Sequence, residues 1–313
     1  MFTAITHDLN VSLTKRVADL EKMVGHTPLH QLTGIFNKPG VSIYAKQEWQ
    51  QLSGSVKCRA AYSIIRTAIE NGMLSGNKIL LDATSGNTGI AYAAICEKLE
   101  IPLTLCLPEN ASKERKEILQ SLGANLILTS RFEGTDGAQD TARELAEKFP
   151  EKYYYADQYK NDANWKAHYF GTALEIFEAL PGITHFVTGL GTTGTFVGTG
   201  RRLKELNPSI QLTALHPDRP LHGLEGWKHL ETALVPGIYD SMVADENLEV
   251  STEEAYEMIK AAARHEGLLL SPSSAANLVG AIKVAEKLKT GTVVTMLPDN
   301  ADKYSEVIKN LLG

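Results

Sequence analysis

From about Lys78 onward, short runs of β-branched residues and leucine alternate with longer stretches of helical period, the pattern of parallel strands joined by helices that cover both faces of a sheet. The short runs predict strands at Ile79–Asp82, Leu103–Leu107, Asn125–Leu128, Tyr153–Ala156, His185–Thr188, Gln211–Leu215 and Val293–Leu297. Between and after them, apolar spacing predicts helices over Ser112–Leu122, Thr135–Lys148, Asn164–Leu180, Thr195–Leu206, Glu253–Glu266 and Ala275–Leu288, and upstream over Ala60–Asn71. Several open on Ser, Thr or Asn, whose side chains accept from the unpaired amides of a first turn. The fold class is α/β. No repeat, low-complexity tract or linker marks a domain boundary.

Composition narrows the function classes. A chain of 313 residues, 43% hydrophobic, can bury the core of one large domain or two moderate ones. A net charge of -6 offers no basic surplus for phosphates, which argues against nucleic acid and anionic membranes as partners and for small-molecule chemistry. Cys58, Cys96 and Cys106 are too few for a disulfide framework and lack zinc-site spacing, so no metal is expected and a reducing compartment fits. No apolar run approaches the roughly 20 residues that span a bilayer, and the start of the chain carries Asp8 and no signal-peptide core, so a cytoplasmic location is expected.

In open α/β sheets, ligands bind beyond the carboxyl ends of strands. After Ile79–Asp82 comes Ala83-Thr84-Ser85-Gly86-Asn87-Thr88-Gly89, then a helix. That loop is either a capped strand-to-helix turn or a cradle of amides and hydroxyls for a carboxylate or phosphate. After His185–Thr188 comes Gly189-Leu190-Gly191-Thr192-Thr193-Gly194-Thr195, which satisfies G-x-G-x-x-G between a strand and a helix. A dinucleotide site also wants an acid about 20 positions on, at the end of the next strand. There the chain reads Leu215-His216-Pro217 with Asp218 late, so a single phosphate fits better than a dinucleotide. Upstream, Lys57 in Ser53-Gly54-Ser55-Val56-Lys57-Cys58-Arg59 sits at a helix start, where the dipole opposes its charge. It is either a solvated lysine or an amine kept partly unprotonated for a carbonyl cofactor.

Together these segments resemble the tryptophan-synthase-like, fold type II family of pyridoxal-phosphate enzymes, and within it the cysteine synthases (O-acetylserine and O-phosphoserine sulfhydrylases). The resemblance begins at Gly25-His26-Thr27-Pro28-Leu29, similar to a G-x-T-P-L opening, and runs in order through Ser53–Arg59, Thr84–Gly89, Gly191–Thr195 and Ser273-Ser274 to Pro298. It implies twisted, mostly parallel sheets flanked by helices in two lobes: a small mobile substrate-binding lobe over 48–155 and a large cofactor-binding lobe of 1–47 and 156–313, with the active site in the cleft. It also implies a small amino-acid substrate, a homodimer and, in one branch, a sulfur-carrier protein as partner.

Carried across, the resemblance makes Lys57 the residue that forms the internal aldimine with pyridoxal 5'-phosphate and later exchanges the Cα proton. Asn87 would bond the cofactor's ring oxygen. Thr84, Ser85, Gly86 and Thr88, with Gln158, would grip the substrate carboxylate, while Gly191, Thr192, Thr193, Gly194 and Thr195 would cup the phosphate. Ser273 would face the pyridine nitrogen, with Ser274 an alternative register; a hydroxyl there makes a weaker electron sink than a carboxylate and favours elimination at Cβ. The implied reaction is β-replacement of an activated serine by sulfur through an α-aminoacrylate, giving L-cysteine or a close analogue.

For the leaving group, the stretch from Asp157 to Leu203 looks most like the O-phosphoserine branch, and Arg219 is either a phosphate ligand or a surface arginine paired with Asp218; O-acetylserine stays open. Three departures stand out: Cys58 where Asp is usual, Ser271-Pro272 for Gly-Ile, and Gln50-Gln51-Leu52-Ser53 where Asn-Pro precedes the lysine. The rival readings are a same-fold serine or threonine deaminase, a nicotinamide-dependent oxidoreductase built on Gly189–Gly194, and a non-catalytic scaffold.

Overall fold

A computed structural model describes residues 13–84 and 86–312. In chain order its elements are helix α1 (residues 13–20), β1 (Leu29–Gln31), β2 (Val41–Gln47), α2 (Lys57–Glu70), β3 (Ile79–Ala83), α3 (Asn87–Leu99), β4 (Leu103–Pro108), α4 (Lys113–Ser121), β5 (Asn125–Thr129), α5 (Gly134–Lys148) and β6 (Tyr153–Tyr155). There follow α6 (Asp162–Ala167), a π-helical turn (His168–Thr172), α7 (Ala173–Ala179), β7 (His185–Gly189), α8 (Gly194–Leu206), β8 (Gln211–Pro217), β9 (Glu246–Val250), α9 (Thr252–His265), α10 (Pro272–Lys287), β10 (Gly291–Leu297) and α11 (Ser305–Leu312). The chain divides into two compact units, Met1–Gly25 with Lys57–Asn164, and His26–Val56 with Trp165–Gly313.

The first unit holds a four-stranded parallel sheet in the order β5-β4-β3-β6. Every residue of β4 is buried, as a strand covered on both faces must be, whereas β5 at the edge is half-exposed. A cluster of Leu81, Ala83, Cys106, Ala138, Ala142 and Tyr153 packs α5 onto the sheet. Strand β3 is central, and its carboxyl end delivers Asp82 and Ala83 to the Thr84 loop.

The second unit holds a six-stranded sheet ordered β1-β2-β10-β7-β8-β9, in which only β1 runs antiparallel to its neighbour. Helix α10 is buried along one whole stretch, Ser271 to Ala281. Its small residues permit that depth: a Cβ on Gly280 would meet Leu215 Cδ1 at 2.3 Å. Ser271 caps this helix, accepting from Ser274 N at 3.2 Å, and Pro272 occupies its first turn, where a missing N–H costs nothing.

All of the strands expected from the sequence are present, but they lie in two sheets, and β1, β2 and β9 join them from segments without a clear apolar run. The helix expected over Asn164–Leu180 is interrupted: α6 gives way to the π turn, within which His168 Nδ1 lies 2.9 Å from Thr172 Oγ1. The helix expected from Ala60 starts three residues earlier, so that Lys57 is its first residue.

Candidate active site

In the first unit, Lys57 is half-buried at the opening of α2, followed by the fully buried Cys58 and the buried Arg59. Cys58 is a packing residue of the helix's inner face. Thr84 follows β3, and its Oγ1 accepts from Gly86 N at 3.2 Å, closing a small turn that presents Asn87 as the first residue of α3. Ser85 lies outside the described residues. Thr88 donates its hydroxyl to Gln158 Oε1 at 2.7 Å, and Gln158 Nε2 donates to Ala83 O at 3.0 Å, so the glutamine from the far side of β6 closes onto the loop. Thr84, Gly86, Asn87, Thr88 and Gln158 are thereby brought into one cluster.

Behind this cluster Asp82 is wholly buried. Its Oδ1 accepts from Ala83 N at 2.8 Å and its Oδ2 from Gln158 N at 3.4 Å. Burial pushes its carboxyl up to about 7, against the lowering pull of those amides and of the neighbouring Tyr92 hydroxyl.

In the second unit, β7 ends at Gly189 and α8 starts at Gly194, so Gly191, Thr192 and Thr193 form a turn at a helix N-terminus, where amides are unpaired by intrahelical bonds. Thr193 adopts φ 71°, a left-handed conformation costly for a β-branched residue, and its buried Oγ1 has no hydrogen-bond partner among the described residues. A Cβ on Gly191 would lie 2.1 Å from Gly226 O, and one on Gly189 2.0 Å from the Trp227 ring, so only glycine allows the loop around Gly226 to close over this turn. Thr195 Oγ1 lies 3.3 Å from His168 Nε2.

Ser273 is almost fully buried at the start of α10, its Oγ 3.3 Å from Ser271 Oγ. Ser274 is committed to the fold: its hydroxyl donates to Asp299 O at 2.6 Å and accepts from Asp299 N at 3.3 Å. Asn277 ties this helix to β7, its Oδ1 accepting from Gly189 N at 2.7 Å while its Nδ2 donates to Met296 O. Arg219 is not part of this cluster. It is half-exposed and pairs with Asp218 at 3.3 Å and Glu253 at 2.6 Å.

The segment before the lysine is built on buried polar groups. Glu48, fully buried, accepts from Thr27 Oγ1 at 2.6 Å and from Gln51 Nε2 at 2.9 Å, and Lys46 Nζ donates to Thr27 O at 2.7 Å and pairs with Glu175 at 2.8 Å. Gln51 thus anchors this segment where the resemblance expects Asn-Pro. The sequence offered no signal for Asp82, Asn277 or Glu48: the first two are single polar residues beside apolar runs, Glu48 is one of several polar residues in a row, and only the fold shows what each bonds.

A family model described as pyridoxal-phosphate dependent enzyme matches residues 20–299. Cysteine synthase of Aquifex aeolicus is 45% identical over 291 residues, covering 90% of this chain and 89% of the relative. The O-acetylserine dependent cystathionine beta-synthase of Bacillus subtilis is 37% identical over 295 residues, covering 92% and 96%. Among solved structures, the cysteine synthase of Entamoeba histolytica matches with a TM-score of 0.88 at 30% identity, covering 93% of this chain and 90% of that one.

Proposed function

The chain belongs to the pyridoxal-phosphate-dependent enzyme family, and from that premise we propose that it is a cysteine synthase, converting O-acetylserine and sulfide to L-cysteine and acetate. The observation that carries the cofactor assignment is the Gly191–Thr195 turn. A strained Thr193 with a buried, unsatisfied hydroxyl, set among helix N-terminal amides that only glycines can approach, fits a single phosphate. Thr192, Gly194 and Thr195 complete that cup, Ser273 takes the ring nitrogen because Ser274 is already engaged, and Asn87 takes the ring oxygen.

When bound, pyridoxal phosphate lets an amino acid lose its Cα proton by spreading the resulting charge. Lys57 would hold the cofactor through Nζ and would serve as the general base for the substrate's Cα proton. Thr84, Ser85, Gly86 and Thr88, with Gln158, hold the substrate carboxylate, which fixes Cα for that transfer. The Cβ–oxygen bond then breaks with acetate leaving, the Cβ–sulfur bond forms, and Lys57 returns the proton to Cα.

O-acetylserine is favoured over O-phosphoserine because the Bacillus subtilis relative is described as O-acetylserine dependent and because Arg219 is neutralised by two carboxylates. No helix among the described residues is long and apolar enough to cross a membrane; a cytoplasmic homodimer using free sulfide, rather than a carrier protein, completes the proposal. The test is cysteine formation by protein purified with pyridoxal phosphate, given O-acetylserine or O-phosphoserine with sulfide. Faster turnover of O-acetylserine, with a visible absorption band and turnover both lost in Lys57→Ala, is the expected result. Keto acid and ammonia in place of a thiol would make it a deaminase, and protein that takes up no cofactor would end the enzyme reading.

A further inference from the structure

Asp82 is a fully buried carboxylate that the reaction above does not use. It sits where the two segments assigned to the substrate carboxylate meet. One oxygen accepts from Ala83 N, at the root of the Thr84 loop, and the other from Gln158 N, the residue whose side chain receives the Thr88 hydroxyl. Gln158 is pinned further by its Nε2 on Ala83 O and by Asn164 Nδ2 on its own carbonyl. Among the described residues, this carboxylate is the direct polar link from the end of β3 to the backbone amide of Gln158.

We propose that Asp82 is a positioning residue that sets the affinity for the amino-acid substrate by holding the Thr84 loop and Gln158 in register, and that this hold weakens when its carboxyl takes up a proton. The inference rests on the assignment of these segments to the substrate carboxylate. Ionised, Asp82 offers an acceptor to both amides. Protonated, one oxygen becomes a donor that meets an N–H donor, and one of the two bonds is weakened or lost.

The environment makes this exchange accessible near neutral pH. The groups facing Asp82 are Tyr92 of α3, Cys106 of β4, Tyr154 and Tyr155 of β6, and Asp157 and Tyr159 of the segment after β6. None of these supplies a positive charge. Burial and the like charge of Asp157 raise the carboxyl to about 7, while the two amides and Tyr92 restrain the rise. The hydroxyl of Tyr92 is buried without a partner of regular hydrogen-bond geometry, so Asp82 is the acceptor it has to hand.

The experiment is steady-state kinetics of the holoenzyme with O-acetylserine and sulfide from pH 6 to 8.5, on the wild type, Asp82→Asn and Tyr92→Phe. Carboxyl-labelled aspartate NMR on the same proteins runs alongside. Asn keeps the shape but fixes one oxygen as an N–H donor, as protonation does. The wild-type KM for O-acetylserine should rise about tenfold on going down through pH 7, the cost of one hydrogen bond to an ionised group. Asp82→Asn should hold the high KM across the range, with the effect falling on KM rather than kcat. Tyr92→Phe should move the inflection to higher pH, and one aspartate resonance, missing in Asp82→Asn, should titrate with it. A flat KM in active wild type, or an Asp82→Asn profile that follows the wild type, overturns the proposal and leaves the cysteine synthase reading intact. If Asp82→Asn does not fold, the resonance and the Tyr92→Phe shift decide. An absence of cysteine at every pH defeats the underlying function instead.

Discussion

Replacing Gly191 by alanine adds a single methyl group to the phosphate cup, and the geometry fixes where it goes. The new Cβ would stand 2.1 Å from Gly226 O, more than an ångström inside contact distance, and the obstacle is backbone. That backbone has little freedom to retreat. Lys228 N donates to Leu190 O at 2.8 Å, Gly223 N to Thr252 Oγ1 at 2.8 Å and Trp227 N to Leu224 O at 3.0 Å, which ties the loop on both sides of Gly226. Gly191 is not in the left-handed region, so the penalty is overlap rather than backbone strain. Overpacking of this kind costs about 1–3 kcal/mol, which lowers Tm by roughly 2–4 °C per kcal/mol. If the strain is relieved by opening the cup, the same energy weakens the cofactor by about 5- to 150-fold. The assay is thermal unfolding of Gly191→Ala with and without pyridoxal phosphate, because a ligand bound only by the native state raises Tm with the logarithm of its affinity. Gly182→Ala is the control, since nothing stands within 4 Å of its Cβ position. The expected result is a smaller cofactor-induced rise for Gly191→Ala alone. Equal rises in wild type and Gly191→Ala would refute the phosphate assignment of this turn.

Three further outcomes are expected. Glu266 is nearly buried, its Oε1 accepting from the amides of Thr33, Gly34 and Ile35 at 3.0, 2.7 and 3.0 Å, and its Oε2 lies 3.3 Å from His30 Nε2. Burial raises its carboxyl, but these hydrogen bonds outweigh it and leave the group below its ordinary value. A depressed folded-state value stabilises above the unfolded value and is lost as pH falls through the folded one. Glu266→Ala should therefore be less stable by about 1–3 kcal/mol near pH 7 in denaturant titration, with the gap closing below pH 4. Ser273→Ala should keep Tm but change the cofactor's absorption and slow turnover. Ser274→Ala should lower Tm, because Asp299 N and O lose their buried partner.

The strands were legible because each is a short apolar run followed by a turn, and a parallel strand buried on both faces needs no polar alternation. The strands missed were those whose polar residues are satisfied by contacts remote in sequence. Strand β2 carries Lys46, buried only because Glu175 and Thr27 receive its charge, and β9 is an edge strand, Glu246–Val250, with a solvated face. The division into two units left no trace in composition because no linker separates them; the chain passes from one to the other at Gly25–His26, Val56–Lys57 and Asn164–Trp165 within ordinary sequence. The glycine and threonine segment at Gly191 was legible as a turn between a strand and a helix, since G-x-G-x-x-G spacing at that place constrains the backbone, and the anion cup proposed there rests on the same spacing. Asp82 was not, because an aspartate at a strand end is commonplace and only the arrival of Gln158 beside it gives it a task.

Strand β10 has a consequence for how the chain must be made. It lies between β2 and β7, in register with Val41–Gln47 on one side and His185–Val187 on the other, so the centre of the larger sheet is its final strand in sequence. The segment that ends just before Lys57 hangs on the same stretch: Glu48 N donates to Leu297 O, Val56 N to Pro298 O, and Lys303 Nζ to Gly54 O. During synthesis, the first strands of this sheet therefore emerge from the ribosome long before the strand that joins them. Until some 250 further residues have followed, β2 has no neighbour on its inner edge, and Glu48 N and Val56 N lack the acceptors that Leu297 and Pro298 later supply. A nascent chain can complete the sheet of the first unit early, whereas the sheet of the second unit closes only once β10 has been made and has inserted between β2 and β7.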